Sequence, residues 1–346
     1  MKIDRRKFIK ASTLAALSAS GALTLGCSDD TLSSHPDAPQ ILDKPPAPTI
    51  RGLVARAHDD EVRVKGEEFK QDKVTALLDR AVMRITNQDQ ADLAWKELFS
   101  PNDIVGLKLN CLGGRRISSH PVVAQAIVEG LRKAGVTDDR IIIWERFDRE
   151  LQLAGYKVQK KTGLLRVMAT EGEYDKEITM SGETGSCYTP FVSRLCTAQV
   201  NVPVLKDHSF SGVSIGMKNF FGAIHNPNKY HPTSRDPHCC DPFVADVCNC
   251  PLIRDKLRLV VCDALNGQYD GGPTLKASCL WEENSLLAAT DPVALDTVGW
   301  GLIEEQRKLH GLKTLQAAGR PPKWLATANG YGLGENDPLK IETVEV

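Results

Sequence analysis

The chain has 346 residues with almost balanced charge, since 43 lysines and arginines stand against 44 aspartates and glutamates. The length fits one large domain or two, and 42% hydrophobic residues is ordinary for a globular protein with a core. The formal net charge of -1 argues against a nucleic-acid-binding protein, whose surface normally carries a strong basic excess. No stretch after the N-terminus approaches the roughly 18 apolar residues of a membrane span, so we expect a soluble or lipid-anchored mature protein.

Residues 1–27 predict an export signal. Residues 4–10 (DRRKFIK) resemble a twin-arginine signal, and a short, mildly apolar stretch follows over residues 11–26. An amphipathic N-terminal helix is the alternative. A twin-arginine signal implies the twin-arginine export machinery as a partner and a periplasmic or extracytoplasmic location.

A lipid anchor at Cys27 is a second expectation. Residues 23–27 (LTLGC) resemble a lipobox, although Thr24 stands where the usual leucine would be. Cleavage near Ala19 or Ala22 stays open as the alternative. Residues 28–50 contain five prolines and predict an extended tether, after which residues 51–346 form the folded domain.

The first predicted helix of that domain follows a short strand-like segment at residues 61–64. An apolar stripe with helical spacing predicts the helix, and Asp72 is its candidate N-cap. The stripe consists of Val74, Leu77, Leu78, Ala81, Val82 and Ile85.

A strand–helix–strand unit comes next. Residues 103–110 predict a strand that ends in polar residues, and a helix then begins after Ser119 or His120 and ends at Gly135. Residues 141–144 are continuously apolar, as expected for a strand buried on both faces. This βαβ spacing predicts an α/β class, with a mostly parallel sheet and flanking helices.

The remaining elements follow the same alternation. We expect a strand over residues 199–205 and a helix that starts at Ser211 and closes at Gly222. Residues 257–261 and 286–289 predict two further strands, and residues 293–308 a helix.

Polar residues gather where these predicted strands end. Ligands of open α/β sheets bind outside the carboxyl ends of the strands, so we expect one shared cleft. The alternative is that strand ends are simply more polar than strand middles. The residues concerned are Lys108, Asn110, Glu145, Arg146, Lys206, His208 and Asp263.

The segment 202–232 has the features of an anion site. Ser211 is predicted to cap its helix, and small residues in the first turn leave backbone N–H groups open to an anion. Lys206 and Lys218 add positive charge, which predicts a carboxylate or phosphate ligand. Lys218 as an ordinary surface lysine is the alternative, and His208 is a candidate for proton transfer or metal binding.

The ten cysteines are unevenly distributed. Cys27 belongs to the leader, and four of the others cluster beside His238. Disulfides suit an oxidising compartment, whereas a metal ion or iron–sulfur cluster suits a protein loaded before export; free thiols are a third interpretation. The four clustered residues are Cys239, Cys240, Cys248 and Cys250.

Several short motifs in a fixed order carry a family resemblance. They are Ser118-Ser119-His120-Pro121, Lys206-x-His208, Gly216-x-Lys218-Asn219-x-x-Gly222, Asp263-Ala264, Gly271-Gly272-Pro273 and Asp291-Pro292-Val293-Ala294-x-Asp296. From about Asp103 to Trp300 the chain resembles the domain of unknown function 362 family. Some members carry ferredoxin-like cysteine repeats and are described as iron–sulfur proteins, and no such repeat occurs here.

The resemblance implies a set of site residues without naming a reaction. The set is His120, Lys206, His208, Lys218, Asn219, Asp263, Asp291 and Asp296. For Asp291 the alternative is a cap for the last helix. Asp263 is the candidate for a metal ligand or general base.

Together these features predict an exported enzyme with a Lys/His/Asp-lined cleft for a small anionic substrate. His208, Lys218 and Asp263 are the candidate catalytic residues. The candidate substrate-binding residues are Lys206, Ser211, Asn219, His120 and Asp291. The reaction stays unassigned, with metal or redox dependence open. Two alternatives are a non-catalytic extracytoplasmic ligand- or metal-binding lipoprotein and a thiol-exchange protein.

Overall fold

A ten-stranded, mostly parallel sheet flanked by helices forms the centre of the fold, which confirms the predicted α/β class. The computed structural model describes residues 50–233 and 237–346. The predicted export signal, the lipid-anchor motif at Cys27 and the tether up to residue 49 lie outside the described residues. None of the helices within the described ranges is long and apolar enough to cross a membrane.

The strands are mostly short. Numbered along the chain, they are β1 (Leu53–His58), β2 (Arg63–Lys65), β3 (Glu68–Phe69), β4 (Val105–Lys108), β5 (Ile141–Glu145), β6 (Arg166–Ala169), β7 (Thr179–Ser181), β8 (Thr184–Ser186), β9 (Ala198–Asn201), β10 (Val204–His208), β11 (Gly212–Val213), β12 (Leu257–Gln268), β13 (Leu280–Ala289) and β14 (Glu342–Glu345). Every residue of β4, β5, β9 and β10 is buried, as expected for strands covered on both faces.

The order of the strands brings polar residues to one edge. The sheet runs β14-β1-β13-β12-β9-β4-β5-β6, and β10 pairs parallel with β12. Strands β9, β4, β5 and β6 are parallel, whereas β1 and β12 flank β13 antiparallel. Lys108 at the end of β4 lies in register with Trp144 and Asn201. The carboxyl ends of β4, β5 and β9 therefore meet, as the sequence predicted.

Helices cover both faces of the sheet. They are α1 (Gln71–Thr86), α2 (Ala91–Leu98), α3 (Pro121–Lys133), α4 (Asp148–Leu153), α5 (Gly216–Asn219), α6 (Phe243–Asn249), α7 (Pro251–Arg254), α8 (Pro292–Leu309) and α9 (Trp324–Gly330). Alternate residues of β5 face opposite cores. Ile141 and Ile143 belong to the core that includes α1, α2 and α3, while Ile142 and Trp144 belong to the one that includes α5, α6 and α8.

The predicted helices α1, α3 and α8 are confirmed. All six residues of the α1 stripe are buried, but the helix begins at Gln71 with Lys70 at the N-cap position, so Asp72 lies inside its first turn and is not the cap. His120 is the N-cap residue of α3. Helix α8 covers the predicted range 293–308.

The predicted helix from Ser211 is wrong in its first half. Gly212 and Val213 form β11, which pairs antiparallel with Asp207 and His208 of β10. Gly212 has a φ of +80°, which glycine adopts readily, and this lets the chain turn back on β10. The helix itself spans only Gly216–Asn219.

Strands β12 and β13 are longer than the sequence indicated. Their apolar cores at residues 257–261 and 286–289 extend to 257–268 and 280–289. The extensions are polar, but they are paired with each other across a register shift between Ala264 and Asn266. Asp263 therefore lies inside a strand and does not follow one.

The Gly271-Gly272-Pro273 turn packs against the end of β10. Gly272 N donates to Asp207 Oδ1 over 2.6 Å, and Gly272 O accepts from Ser209 N over 3.1 Å. A Cβ atom on Gly272 would lie 2.0 Å from the Asp207 carbonyl oxygen. Since that atom belongs to the backbone, the turn has no room for a side chain.

We expect Gly272→Ala to lower the free energy of unfolding by about 1–3 kcal/mol, because the added methyl group overpacks the β10 backbone. The matched control is Gly301→Ala in α8. This glycine is exposed, a Cβ there would meet nothing within 4 Å, and alanine should raise stability by up to about 1 kcal/mol. Urea denaturation measures both, and equal stabilities of the two variants would contradict the account.

Candidate functional site

A cavity of about 500 Å³ lies at the carboxyl ends of β4, β5 and β10. It collects residues that are far apart in the chain, from the strand ends, from α4 and α5, and from the loop that contains His231. Its charged and histidine wall residues are Lys108, Glu145, Arg146, Glu150, His208, Lys218 and His231. Most of the residues predicted to share one cleft therefore line this cavity, and Lys206 and Asp263 are the exceptions.

Lys108 and Glu145 form a buried ion pair in the cavity wall. Lys108 Nζ lies 3.0 Å from each carboxylate oxygen of Glu145, and the two side chains are 1% and 5% exposed. Glu145 also accepts backbone N–H groups from Cys111 over 3.2 Å and Arg146 over 2.8 Å. These extra bonds satisfy the carboxylate oxygens, which a buried pair needs to offset its desolvation.

A chain of amides connects this pair to a second buried lysine. Asn219 Oδ1 accepts from Lys108 Nζ over 3.4 Å and from Asn110 Nδ2 over 3.2 Å. Asn110 Oδ1 accepts from Lys206 Nζ over 2.8 Å. Asn219 Nδ2 donates to Asn201 Oδ1 over 2.7 Å, which ties α5 to β9. Because each amide has both a donor and an acceptor partner, its orientation is fixed.

Lys206 lies behind the cavity wall. It is fully buried, does not line the cavity, and also donates to the Ile117 carbonyl over 3.2 Å. Burial lowers the pKa of Lys206 to about 8. The structure therefore places it as a support for Asn110, whereas Asn219 itself lines the cavity.

Lys218 has a different environment. Its Nζ lies 3.1 Å from His231 Nε2 and 3.7 Å from the centre of the Phe221 ring. His231 Nδ1 lies 3.2 Å from the Pro227 carbonyl, which only accepts, so Nδ1 carries the proton and Nε2 accepts from Lys218. Across the described part of the chain, no carboxylate lies within ion-pair distance of Lys218. Burial, and then Arg146, lower the pKa of Lys218 to about 8 although the Cys240 thiol opposes the shift.

The two cavity histidines are neutral. His208 Nδ1 accepts from the backbone of Phe210 over 3.1 Å and of Ser211 over 3.4 Å, which places the proton on Nε2. The His208 ring stacks on His231 with 5.4 Å between centres. Burial, with the charge of Lys218, holds the pKa of His208 well below its usual value and lowers that of His231 to about 4. His208 thus offers a hydrogen-bond donor.

Positive charge prevails in the cavity wall. Lys108, Arg146 and Lys218 stand against Glu145 and Glu150, and the neutral histidines add nothing. Burial, reinforced by Glu145, raises the pKa of Glu150 from its ordinary value. A concave surface with this balance attracts an anion.

Asp263 and His120 lie together, but outside this cavity wall. Asp263 Oδ2 accepts from His120 N over 2.7 Å and lies 2.8 Å from His120 Nδ1. His120 Nε2 lies 3.4 Å from Glu67 Oε2, an ion-pair distance too long for a strong hydrogen bond. Burial opposes the charge of His120, but Asp263 and Glu67 outweigh it and raise its pKa to about 9. The triad bridges α3, β12 and the β2–β3 hairpin.

Three other predicted site residues stabilise backbone. Asp291 caps α8, accepting from Val293 N over 2.9 Å and Ala294 N over 2.8 Å, as the alternative interpretation held. Asp296 accepts from Gly216 N over 2.7 Å and Met217 N over 2.9 Å. The predicted anion site at the helix start is therefore wrong, since Asp296 occupies those amides. Ser211 Oγ donates to a backbone carbonyl within its own turn and caps no helix.

The clustered cysteines form neither a disulfide nor a metal-binding group in the ranges 50–233 and 237–346. Cys239 Sγ donates to two carbonyls over 3.6 Å, and Cys248 Sγ to the Met217 carbonyl over 3.3 Å. Burial raises the pKa of the Cys239, Cys240 and Cys248 thiols. Cys239, Cys240, Cys248 and Cys250 therefore do not converge with other His, Cys, Asp or Glu side chains of the described residues into a set of metal ligands.

Sequence reasoning missed several residues of the site. Asn201 ends β9 in the structure but lies inside the strand predicted over residues 199–205, so the strand-end rule that found Lys108 passed over it. Three other residues carry no signal in the sequence. Glu150 lies in a short helix, Phe221 is an ordinary aromatic residue and Glu67 belongs to a polar hairpin.

Comparisons with known proteins address the family and the fold. A family model described as "Domain of unknown function (DUF362)" matches residues 105–301, from β4 into α8. No curated protein matches the chain. A crystal structure of a protein from Thermotoga maritima aligns with 71% of this chain at 10% identity and a TM-score of 0.40. The chain covers 61% of that protein.

We expect Glu145→Gln to lower the free energy of unfolding by about 3–5 kcal/mol, because it leaves the Lys108 ammonium buried without a counter-charge. Asp138→Asn is the matched control, since Asp138 pairs with Arg132 at the surface, and it should cost about 1 kcal/mol or less. Urea denaturation at pH 7 measures both. A cost for Glu145→Gln as small as that of the control would show that the pair does not hold the strand ends together.

The triad around His120 should make stability depend on pH. Its folded pKa of about 9 lies above the ordinary 6.5, so its contribution is complete below about pH 6.5 and disappears as pH rises through about 9. We expect His120→Asn to flatten this decline, while His225→Asn, at an exposed histidine, keeps it. Unfolding free energies at pH 6, 7.5 and 9 test this, and parallel profiles for wild type and His120→Asn would refute it.

Proposed function

The chain belongs to the family described as "Domain of unknown function (DUF362)", and on that premise we propose that it is an enzyme that binds a small anionic substrate in the 500 Å³ cavity. The substrate class is a carboxylate or a phosphate. Its binding groups are Lys218 and Arg146, while Asn219, whose amide is engaged by protein partners, forms part of the cavity wall beside Lys218. His208, with its proton on Nε2, is the donor next to the substrate.

The observation that carries this proposal is the environment of Lys218. Its ammonium group is buried against a neutral histidine and an aromatic face. Among the described residues Lys218 has no counter-charge, and removing a charge from water without one is unfavourable, which favours an anionic ligand beside it. A bound anion supplies the missing partner and gains a charge-assisted hydrogen bond.

The other lysines near the cavity are already satisfied. Lys108 is paired with Glu145, and Lys206 donates to Asn110 and Ile117. They position the amides and contribute long-range positive potential. Of the two lysines that line the cavity in the described residues, Lys218 is therefore the one without a carboxylate partner.

Proton transfer near neutral pH is the chemistry we propose for Lys218. A group exchanges protons most effectively when its pKa lies near the working pH, and that of Lys218 is about 8. His231 Nε2 is already the acceptor for its N–H group at 3.1 Å.

Export is a separate proposal that rests on the sequence. The twin-arginine pattern at residues 4–10 and the apolar stretch after it support passage through the twin-arginine export machinery to an extracytoplasmic location. Lipid attachment at Cys27 rests on the lipobox resemblance in the same way.

The binding proposal is tested by isothermal titration of the purified protein with inorganic phosphate and with pyruvate. We expect Lys218→Met to weaken binding of whichever of these two anions binds more tightly by roughly 10- to 100-fold, the equivalent of one charge-assisted hydrogen bond. Wild-type affinity should also fall as pH rises through about 8, because the ammonium form is the binding form.

Lys229→Met is the matched control for this titration. Lys229 is an exposed lysine eleven positions further along the chain and lies outside the cavity wall. The Lys229→Met variant should bind the anion with the affinity of the wild-type protein. Unchanged affinity in Lys218→Met, or an equal loss in both variants, would overturn the proposal.

A further inference from the structure

We propose that Lys218 is a nucleophilic lysine that forms a Schiff base with the carbonyl carbon of a small 2-oxo acid. The inference rests on the proposed function, since the carboxylate of that acid is the anion which the cavity binds. It narrows the substrate class from small anions in general to those with a carbonyl group next to the carboxylate.

The first support is that Lys218 has the surroundings of a reactive amine. A lysine becomes nucleophilic when burial and neighbouring cations favour its neutral form. Lys218 is 6% exposed, its contacts are a neutral histidine and the face of Phe221, and Arg146 lies in the same wall. With a pKa of about 8, roughly a tenth of the side chain is free amine at pH 7.

The second support is that the other two buried lysines are unsuited to the same role. Lys108 Nζ is held by both oxygens of Glu145 and by the Leu109 carbonyl, so its donors and its charge are engaged. Lys206 lies behind Asn110 and does not reach the cavity wall. Lys218 is therefore the amine that a bound carbonyl compound meets.

The third support is that the cavity wall offers one group for the carboxylate of the 2-oxo acid and a different group for its carbonyl carbon. Arg146 lines the cavity wall, and its guanidinium group is the donor for the carboxylate. Asn219 lies next to Lys218 in the chain and also lines the wall. Lys218 and Arg146 thus line the same cavity, so one small molecule bound there can meet both groups.

The step balances without an oxidant or reductant. The free-amine form of Lys218 attacks with its lone pair, which forms the bond from Nζ to the carbonyl carbon. The carbonyl oxygen receives one proton from that nitrogen and one from solvent, and it leaves as water when the C–O bond breaks. An ammonium ion and a carbonyl compound thus give an iminium ion and water.

The experiment uses the full-length protein, pyruvate as the probe and sodium cyanoborohydride as the trapping reductant. Reduction converts the iminium to a stable secondary amine, which intact-mass measurement counts and peptide mapping locates. We expect one reduced pyruvyl group per chain, at Lys218, labelled roughly tenfold or more above the surface lysine Lys229. Inorganic phosphate, which has no carbonyl group, should suppress the labelling by competing for the cavity.

Lys218→Arg separates this inference from the binding proposal. Arginine keeps the positive charge but forms no Schiff base under these conditions, so the variant should bind phosphate and give no cavity adduct. Wild-type protein that binds pyruvate but shows no adduct at Lys218 beyond that at Lys229 would overturn the Schiff base alone. Wild-type protein that binds neither phosphate nor pyruvate would overturn the proposed function as well.

Discussion

The buried ion pair between Lys108 and Glu145 is the interaction on which the site depends. It joins the ends of two parallel strands at 3.0 Å, and the amide of Asn219 completes the coordination of the lysine. Through Asn219 the pair fixes the short helix α5 against the sheet. Lys218 precedes Asn219 in the chain, so the pair that holds the strand ends together also sets the position of the amine.

The second constraint is the distribution of carboxylates. Asp263, Asp291 and Asp296 are all buried, and each carboxylate is hydrogen-bonded to a histidine or to backbone N–H groups. Glu145 forms an ion pair with Lys108. The cavity wall is thereby left with a lysine that has aromatic and neutral neighbours. This is why the proposals turn on an anion and on the amine chemistry of a desolvated lysine, and why they assign no role to the cysteines.

The sequence predicted the sheet and much of the site because both follow from local rules. Continuous apolar runs marked β4 and β5, and the rule of polar strand ends brought Lys108, Glu145 and His208 together. The sequence did not indicate which carboxylates face the cavity, because that depends on partners distant in the chain, such as Glu67 for His120. The predicted helix from Ser211 was wrong at its start because β10 offers Val213 backbone partners that no local pattern reveals.

The central claim is that a small anion binds in the cavity beside Lys218. A crystal structure of the protein grown with inorganic phosphate at a concentration that saturates binding in solution tests it most directly. We expect phosphate density in the cavity, with an oxygen within hydrogen-bond distance of Lys218 Nζ. Phosphate bound only elsewhere on the molecule, with the cavity holding none, would contradict it.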